Sequence, residues 1–227
     1  MGLNLPPPPG FRGLNPQRPI EIYQRRLPHW RQAGAIYFVT FHLADAMPAT
    51  KRRQLEVLRR EWRRRNPDPD AASVAAHARE IFRHVEAWID AGAGACWFRR
   101  PQYAAELRRA LLCQHGARYE LGCFVNMANH CHAVIRPFDQ FRLEREVGVI
   151  KRLAAGAINE AEGLEGRLWQ QESYDRIIRD EEHLWKVIQY IGANPRRAGV
   201  PAKQWDRWIN PEWEALGWSF VDERSNL

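Results

Sequence analysis

The sequence predicts an α+β fold in which helices pack against a small, mainly antiparallel sheet. Two runs rich in β-branched and aromatic residues, 118–127 and 130–136, are separated only by Ala128-Asn129, which predicts an antiparallel hairpin. A third such run at 36–43 predicts the first strand. Apolar residues recur at helical spacing between and after these runs, so helices are expected to cover the sheet.

The other elements are predicted from the same periodicities, with proline and glycine as boundary signals. In chain order they are an extended, poorly ordered tail at 1–27, a basic helix at 49–65, a helix from Asp70 or Ser73 to about Ala91, a short strand at 96–98, helices at 101–115 and 143–160, extended segments at 168–171 and 174–179, and a helix at 180–193 that Pro195 ends. Residues 49–91 therefore form a helical insertion after the first strand. The segment 201–227 contains four tryptophans, which we expect to pack it against the domain.

Positive charge is concentrated in one predicted helix. The chain carries 34 Lys and Arg against 27 Asp and Glu, and Lys51 to Arg65 alone holds eight basic residues against two acidic ones. Leu55, Leu58 and Trp62 recur at helical spacing, so the basic residues form the outer face of an amphipathic helix. Such a face is either simply solvated or follows the phosphates of a nucleic acid.

Composition also narrows the class of protein. The chain has no run of eighteen apolar residues, so no membrane span is expected. A secretory signal is not evident at the start, and the four cysteines form no C-x-x-C pair. We therefore expect reduced thiols and a cytoplasmic location.

His130 and His132 alternate at the start of the predicted strand 130–136. Alternate side chains of a strand share one face, and their positions are about 6–7 Å apart along it. Two neutral imidazoles in this arrangement can bind one divalent metal ion. An H-x-H pair is also common as a purely structural feature, so both interpretations stay open.

Tyr190 and Asn194 form a second polar pair, one turn apart near the end of the helix 180–193. With 100° per residue, Tyr190 lies roughly 110° from the centre of the apolar stripe, and Asn194 lies beside it. A phenol is a potential nucleophile, and an amide oxygen is a hard metal ligand. Alternatively, Tyr190 is a boundary aromatic and Asn194 an ordinary helix cap before proline.

Taken together and in order, these motifs resemble the REP-associated tyrosine transposases, single-tyrosine relatives of the HUH transposases. The resemblance covers about residues 28–200. Its motifs are Pro28-His29-Trp30, the strand from Tyr37 to Asp45, Met127-Ala128-Asn129-His130-Cys131-His132, the segment from Leu168 to Glu182, and Tyr190-Ile191-x-x-Asn194-Pro195-x-x-Ala198-Gly199. The chain departs from the family at Ala128, where a proline is usual. That change removes no chemical group.

The resemblance implies a ferredoxin- or RRM-like HUH core at 28–200 and a set of site residues. Tyr190 would be the nucleophile, and His130, His132 and Asn194 would hold Mg²⁺ or Mn²⁺. It further implies single-stranded DNA with a hairpin structure as substrate, a covalent link to the 5′ side of the break, and a monomer or homodimer. Tyr174 is the rival nucleophile, whereas His29, His42 and His183 are expected to be structural.

Ten basic residues are candidates for nucleic-acid contacts. They are Arg52, Arg53, Arg59, Arg60, Arg63, Arg64, Lys151, Arg152, Arg196 and Arg197. Two other functions stay open on the same fold. One is a non-catalytic protein that binds single-stranded DNA or RNA, and the other is a metal-dependent hydrolase that uses water.

Overall fold

The computed structural model describes residues 4–24 and 28–221, so the predicted segments 1–27 and 201–227 lie partly outside the described residues. In chain order the elements are β1 (Glu21–Gln24), β2 (Pro28–Arg31), β3 (Tyr37–His42), α1 (Ala49–Arg65), α2 (Ala71–Asp90), α3 (Pro101–Leu112), β4 (Tyr119–Asn126), β5 (His130–Pro137), α4 (Leu143–Glu162), β6 (Tyr174–Ile177), α5 (Glu181–Arg197), β7 (Asp206–Ile209) and α6 (Pro211–Ala215). Strands β1 and β2 form a separate two-stranded ribbon.

The other five strands form one antiparallel sheet in the order β6-β3-β5-β4-β7. Its first four strands, with α3 and α4 as crossovers, give the βαββαβ connectivity of the ferredoxin-like fold. The fold class predicted from the sequence is therefore confirmed. Strand β7 extends the sheet beyond β4, and α1 and α2 form the helical insertion after the first strand of the sheet.

The sheet divides the core into two layers, because side chains of a strand alternate between its faces. On β3, Val39 and Phe41 belong to the core shared with α3 and α4, whereas Phe38 faces the other layer with α5. On β5, Ala133 and Val134 divide in the same way. His130 and His132 have the parity of Val134, so they face the layer of α5.

Helices α1 and α2 pack against each other as a helical hairpin, with Leu55 and Ile81 buried between them. Two polar contacts fix the base of this hairpin. Asp45 Oδ2 accepts a bond from the Ala95 amide at 2.7 Å. Asn129 Nδ2 donates to the carbonyl oxygens of Ile89 and Ala93, at 3.1 and 2.9 Å. The end of α2 is therefore tied directly to the turn that precedes the histidine strand.

Two predictions about local structure were wrong. Residues 97–99 form a 3-10 helix instead of a strand, because Cys96 adopts the left-handed conformation and redirects the chain. Helix α5 continues through Pro195 to Arg197, and the Ala198 amide still donates to the Asn194 carbonyl. Pro195 lacks its own amide hydrogen bond and its ring crowds the Ile191 carbonyl, and burial of Asn194 and Pro195 offsets this cost.

The N-terminal tail, which the sequence predicts to be extended or poorly ordered, packs on the domain over its described residues. Leu14 and Ile178 share a backbone hydrogen bond of 2.8 Å, and the Ile36 amide donates to the Arg12 carbonyl. Leu5 and Phe11 pack against the core layer of α5. These apolar side chains give the proline-rich segment a surface to bury, which composition alone does not reveal.

Within the described part of the chain, no helix combines the length and the apolar character needed to cross a bilayer.

Candidate metal centre and its tyrosine

His130 and His132 lie next to each other on β5, with their ring centroids 4.8 Å apart. In the register of the sheet they pair with His42 and Thr40 of β3. Both imidazoles are buried, with relative exposures of 1% and 0%. The shared face predicted from their spacing is present, but it is enclosed and does not open to solvent.

Each imidazole is oriented through its Nδ1 atom. His130 Nδ1 lies 2.9 Å from Asn129 Oδ1, and His132 Nδ1 lies 2.7 Å from Thr40 Oγ1. Because Asn129 Nδ2 is committed to two carbonyl oxygens, its Oδ1 must accept, so His130 carries its proton on Nδ1. The Nε2 atoms of both histidines are buried and have no hydrogen-bond partner among the described residues.

Burial also keeps both imidazoles neutral. It lowers the pKa of His132 to about 3, with a further contribution from the positive charge of Arg197. It lowers the pKa of His130 well below its ordinary value, and the neighbouring His132 and His42 act in the same direction. Neutral imidazoles with an available Nε2 lone pair are the form that binds metal ions.

Helix α2 brings two carboxylates to the histidines. Glu86 Oε2 lies 3.2 Å from His132 Nε2, and Asp90 Oδ1 lies 3.5 Å from His130 Nε2. Ligand atoms of Glu86, His130 and His132 all lie within 4.8 Å of one another. Burial raises the pKa of Glu86 to about 8, and the charge of Asp90 adds to this effect.

Glu86 and Asp90 were not predicted as site residues, because the clearest signal in the predicted insertion is its run of basic residues. One signal was available. Glu86 falls between Val85 and Ile89 on the apolar side of an amphipathic helix, where a carboxylate is costly unless it has a partner. That pattern marks Glu86 as unusual, but it does not identify the partner.

Tyr190 lies against this cluster from α5. Its hydroxyl donates a hydrogen bond of 2.5 Å to Glu86 Oε2, and its ring lies 5.5 Å from that of His132. The Arg197 guanidinium lies over the phenol ring, 5.1 Å from its centroid. Burial raises the pKa of Tyr190, as do the charge of Glu86 and its hydrogen bond, whereas a bond from Asn194 lowers it.

Asn194 is fully buried inside α5 and is not the helix cap that was the alternative prediction. Its Nδ2 donates to the Tyr190 carbonyl at 3.2 Å, and its Oδ1 is buried without a hydrogen-bond partner in the described structure. Tyr174, the rival nucleophile, instead stacks on Phe82 with a centroid distance of 4.2 Å.

The donor set fits a divalent cation. Buried polar atoms without partners are rare in proteins, because each costs roughly 1–3 kcal/mol of desolvation. His130 Nε2 and His132 Nε2 are two such atoms, and they face the carboxylates of Asp90 and Glu86. The ligand atoms of Glu86, His130 and His132 lie close enough together to share one ion. Oxygen ligands suit Mg²⁺ and Mn²⁺, while the imidazoles also suit later transition metals.

The predicted nucleic-acid contacts separate into groups. Six arginines lie along α1, and Arg196 and Arg197 are exposed at the end of α5, where Arg197 lies over Tyr190. Arg152 is exposed on α4, whose apolar side chains pack on the opposite face of the sheet. Lys151 is buried, and its amine donates to the Gln170 carbonyl at 2.6 Å. The Lys151 amine is therefore not available at the surface for a nucleic-acid phosphate.

The fold is a ferredoxin-like α+β fold. Its site is a buried cluster of Glu86, His130 and His132 that could hold a metal ion, with the Tyr190 hydroxyl bonded to it. No family model matches the chain, and no curated protein matches it. The chain is similar to a solved structure described as a REP-associated tyrosine transposase bound to a REP hairpin, with 16% identity and a TM-score of 0.46. The match covers 79% of this chain and 74% of that one.

Proposed function

We propose that this protein binds single-stranded DNA and cleaves and rejoins it through a covalent bond between DNA and Tyr190. One observation carries the proposal. The Tyr190 hydroxyl bonds to Glu86 of the Glu86–His130–His132 cluster. Tyr190 lies on α5, the helix that also carries Asn194. The ordered sequence motifs described above support the same assignment.

The reaction exchanges one phosphate ester for another. Tyr190 Oη attacks the phosphorus atom, a tyrosine–phosphorus bond forms, and the bond from phosphorus to the 3′ oxygen breaks. The phenol proton is lost, and the 3′ oxygen leaves as a hydroxyl group, so atoms and charge balance. Because the new ester keeps the energy of the old one, attack by a 3′-hydroxyl reverses the step and rejoins DNA without ATP.

Tyr190 needs assistance, since its pKa is raised and a phenol is a poor nucleophile near neutral pH. His130 and His132 would hold a divalent cation through Nε2, with Asn194 Oδ1 and Glu86 as oxygen ligands. When bound, such a cation supplies Lewis acidity that polarises a phosphate and stabilises the charge of the transition state. The protein itself holds the imidazoles neutral and oriented, and it fixes the phenol beside them.

Access to the cluster requires a local movement. His132 and Asn194 have no exposed surface, and Glu86 of α2 holds the Tyr190 hydroxyl in a hydrogen bond. A scissile phosphate therefore reaches Tyr190 only when the Glu86 side chain, alone or together with α2, moves away from the tyrosine hydroxyl. We place this displacement at the moment when DNA binds.

The proposal is tested by incubating the protein with end-labelled, hairpin-containing single-stranded oligonucleotides and separating the products on a denaturing gel. A DNA-linked protein band is expected with Mg²⁺ or Mn²⁺ and not with a chelator. His132→Ala should lose the band while still binding DNA. Cleavage without the covalent band would favour the water-using hydrolase. Binding without cleavage on any oligonucleotide would favour the non-catalytic binding protein.

A further inference from the structure

A groove runs between the helical hairpin α1–α2 and the edge of the sheet formed by β3 and β6. Its volume is about 320 Å³, which falls within the range of small-molecule pockets. Thr40 and His42, the sheet partners of His132 and His130, line it, and so does Glu86. Since Glu86 also bonds to Tyr190, one residue of the groove lining contacts the proposed nucleophile, which does not itself line the groove.

The walls of this groove carry aromatic rings from both sides. Trp62 of α1 stacks on His77 of α2, with centroids 4.3 Å apart and an interplanar angle of 4°. Phe82 of α2 stacks on Tyr174 of β6 at 4.2 Å. All four rings line the groove. Aromatic side chains are the surfaces on which proteins stack unpaired bases, whatever the base sequence.

The charges around the groove suit a strand whose bases point inward. Arg52 and Arg59 of α1 line it, on the helix that also carries other predicted phosphate contacts. Four acidic residues line it as well: Glu56, Glu86, Glu172 and Asp175. The acidic lining is partly neutralised. Asp175 forms two bonds with Arg31, at 2.5 and 3.0 Å. Bases would stack on the aromatic rings that line the groove, and phosphates would contact Arg52 and Arg59.

We propose that this groove seats one or two unstacked bases of single-stranded DNA immediately beside the phosphate that Tyr190 attacks. The inference deepens the proposed function and rests on its DNA-binding part. It assigns the helical hairpin a role in holding substrate, in addition to supplying Glu86. No base identity is read here, because stacking on these rings accepts any base.

The first experiment maps contacts without requiring catalysis. A short homothymidine strand with 5-iododeoxyuridine at alternate positions is photo-crosslinked to the Tyr190→Phe protein in chelator, and the linked peptides are identified by mass spectrometry. We expect links at Trp62, Phe82 or Tyr174. Links confined to peptides that do not line the groove, such as those of the ribbon β1–β2 or of α4, would overturn the proposal.

The second experiment blocks the groove with a matched control. Ala78 and Ala76 are both exposed on α2, but only Ala78 lines the groove. Ala78→Trp should lower the affinity for the same strand about tenfold, which corresponds to one lost stacking contact, whereas Ala76→Trp should leave it unchanged. Melting temperatures of both variants show that each is folded.

Abasic strands separate bases from phosphates. On a strand that lacks its bases at the crosslinked positions, Ala78→Trp should bind as the parent protein does. Equal binding of Ala78→Trp and Ala76→Trp to the normal strand would overturn the proposal, as would an equal loss on the abasic strand. Because no step requires cleavage, a missing covalent band refutes the catalytic proposal and leaves this one standing.

Discussion

At the scale of single residues, the site depends on two side chains that hold the histidines and do not touch the proposed metal position. Thr40 and Asn129 each bind one imidazole through Nδ1 and leave both Nε2 atoms facing the cluster. Partners of this kind fix the ring orientation of a metal-binding histidine and often change metal affinity by about 10–100-fold.

Thr40→Val should therefore weaken Mn²⁺ binding by about tenfold or more, because valine keeps the shape of threonine and loses the hydroxyl. Isothermal titration with Mn²⁺ measures the effect. Thr40→Ser, which keeps the oxygen, is the matched control and should bind nearly as the parent does. Equal losses in the two variants would mean that packing, and not the hydrogen bond, orients His132.

Residue spacing predicted part of the site and could not predict the rest. The alternation of His130 and His132 defines their shared face, and one helical turn relates Tyr190 to Asn194. Glu86 lies 44 residues before His130 in the sequence, so nothing local relates them. Amphipathic spacing tells which side of α2 is buried, but the surface that it covers depends on how the hairpin folds back over the sheet.

At the scale of elements, α1 is the clearest case of a pattern that the structure keeps. It spans the predicted residues, its buried residue is Leu55, and three arginines occupy its last turn. The end of α5 shows the opposite result. Proline normally ends a helix, but here the local cost is offset by burial, and this extension places Arg197 over Tyr190.

The arginines of α1 should contribute affinity through phosphates and not through base sequence. For single strands, log K falls with log salt with a slope of about −0.7 per neutralised phosphate. Replacing Arg59, Arg60, Arg63 and Arg64 with Gln should flatten that slope by up to roughly 2–3 units, while the preferred hairpin sequence stays the same. Fluorescence anisotropy at several salt concentrations measures it.

The control for this series is the double variant Arg142→Gln and Arg145→Gln, at exposed arginines at the start of α4 on the opposite layer. Its salt slope should stay close to that of the parent. If the α1 variant also keeps the parental slope, the basic face of α1 is merely solvated and the groove lacks its phosphate contacts.

At the scale of the whole molecule, the chain after α5 completes the sheet. The sequence predicts packed tryptophans in this segment. It does not predict strand β7, because a strand of four residues is too short to show a clear alternation. Trp213 follows that strand and is buried, and its Nε1 donates to Glu120 Oε1 at 2.8 Å. Gly122 on β4 makes room for it, since a Cβ there would overlap the indole ring.

Trp213→Ala should lower the free energy of unfolding by about 3–5 kcal/mol, as expected when a large buried aromatic is removed. Urea denaturation followed by circular dichroism measures the change. Trp205→Ala, at a half-buried tryptophan of the same segment, should cost clearly less. A small loss at Trp213 would show that the C-terminal segment is not part of the cooperative core.

The most direct test of the central claim compares two tyrosines on the same covalent assay. Parent protein, Tyr190→Phe and Tyr174→Phe are incubated with the cleavable oligonucleotide and Mn²⁺, and the DNA-linked band is quantified on a denaturing gel. The account predicts that Tyr190→Phe abolishes the band while DNA affinity stays within a few-fold of the parent, and that Tyr174→Phe retains it. A band that persists in Tyr190→Phe and disappears in Tyr174→Phe would contradict the account.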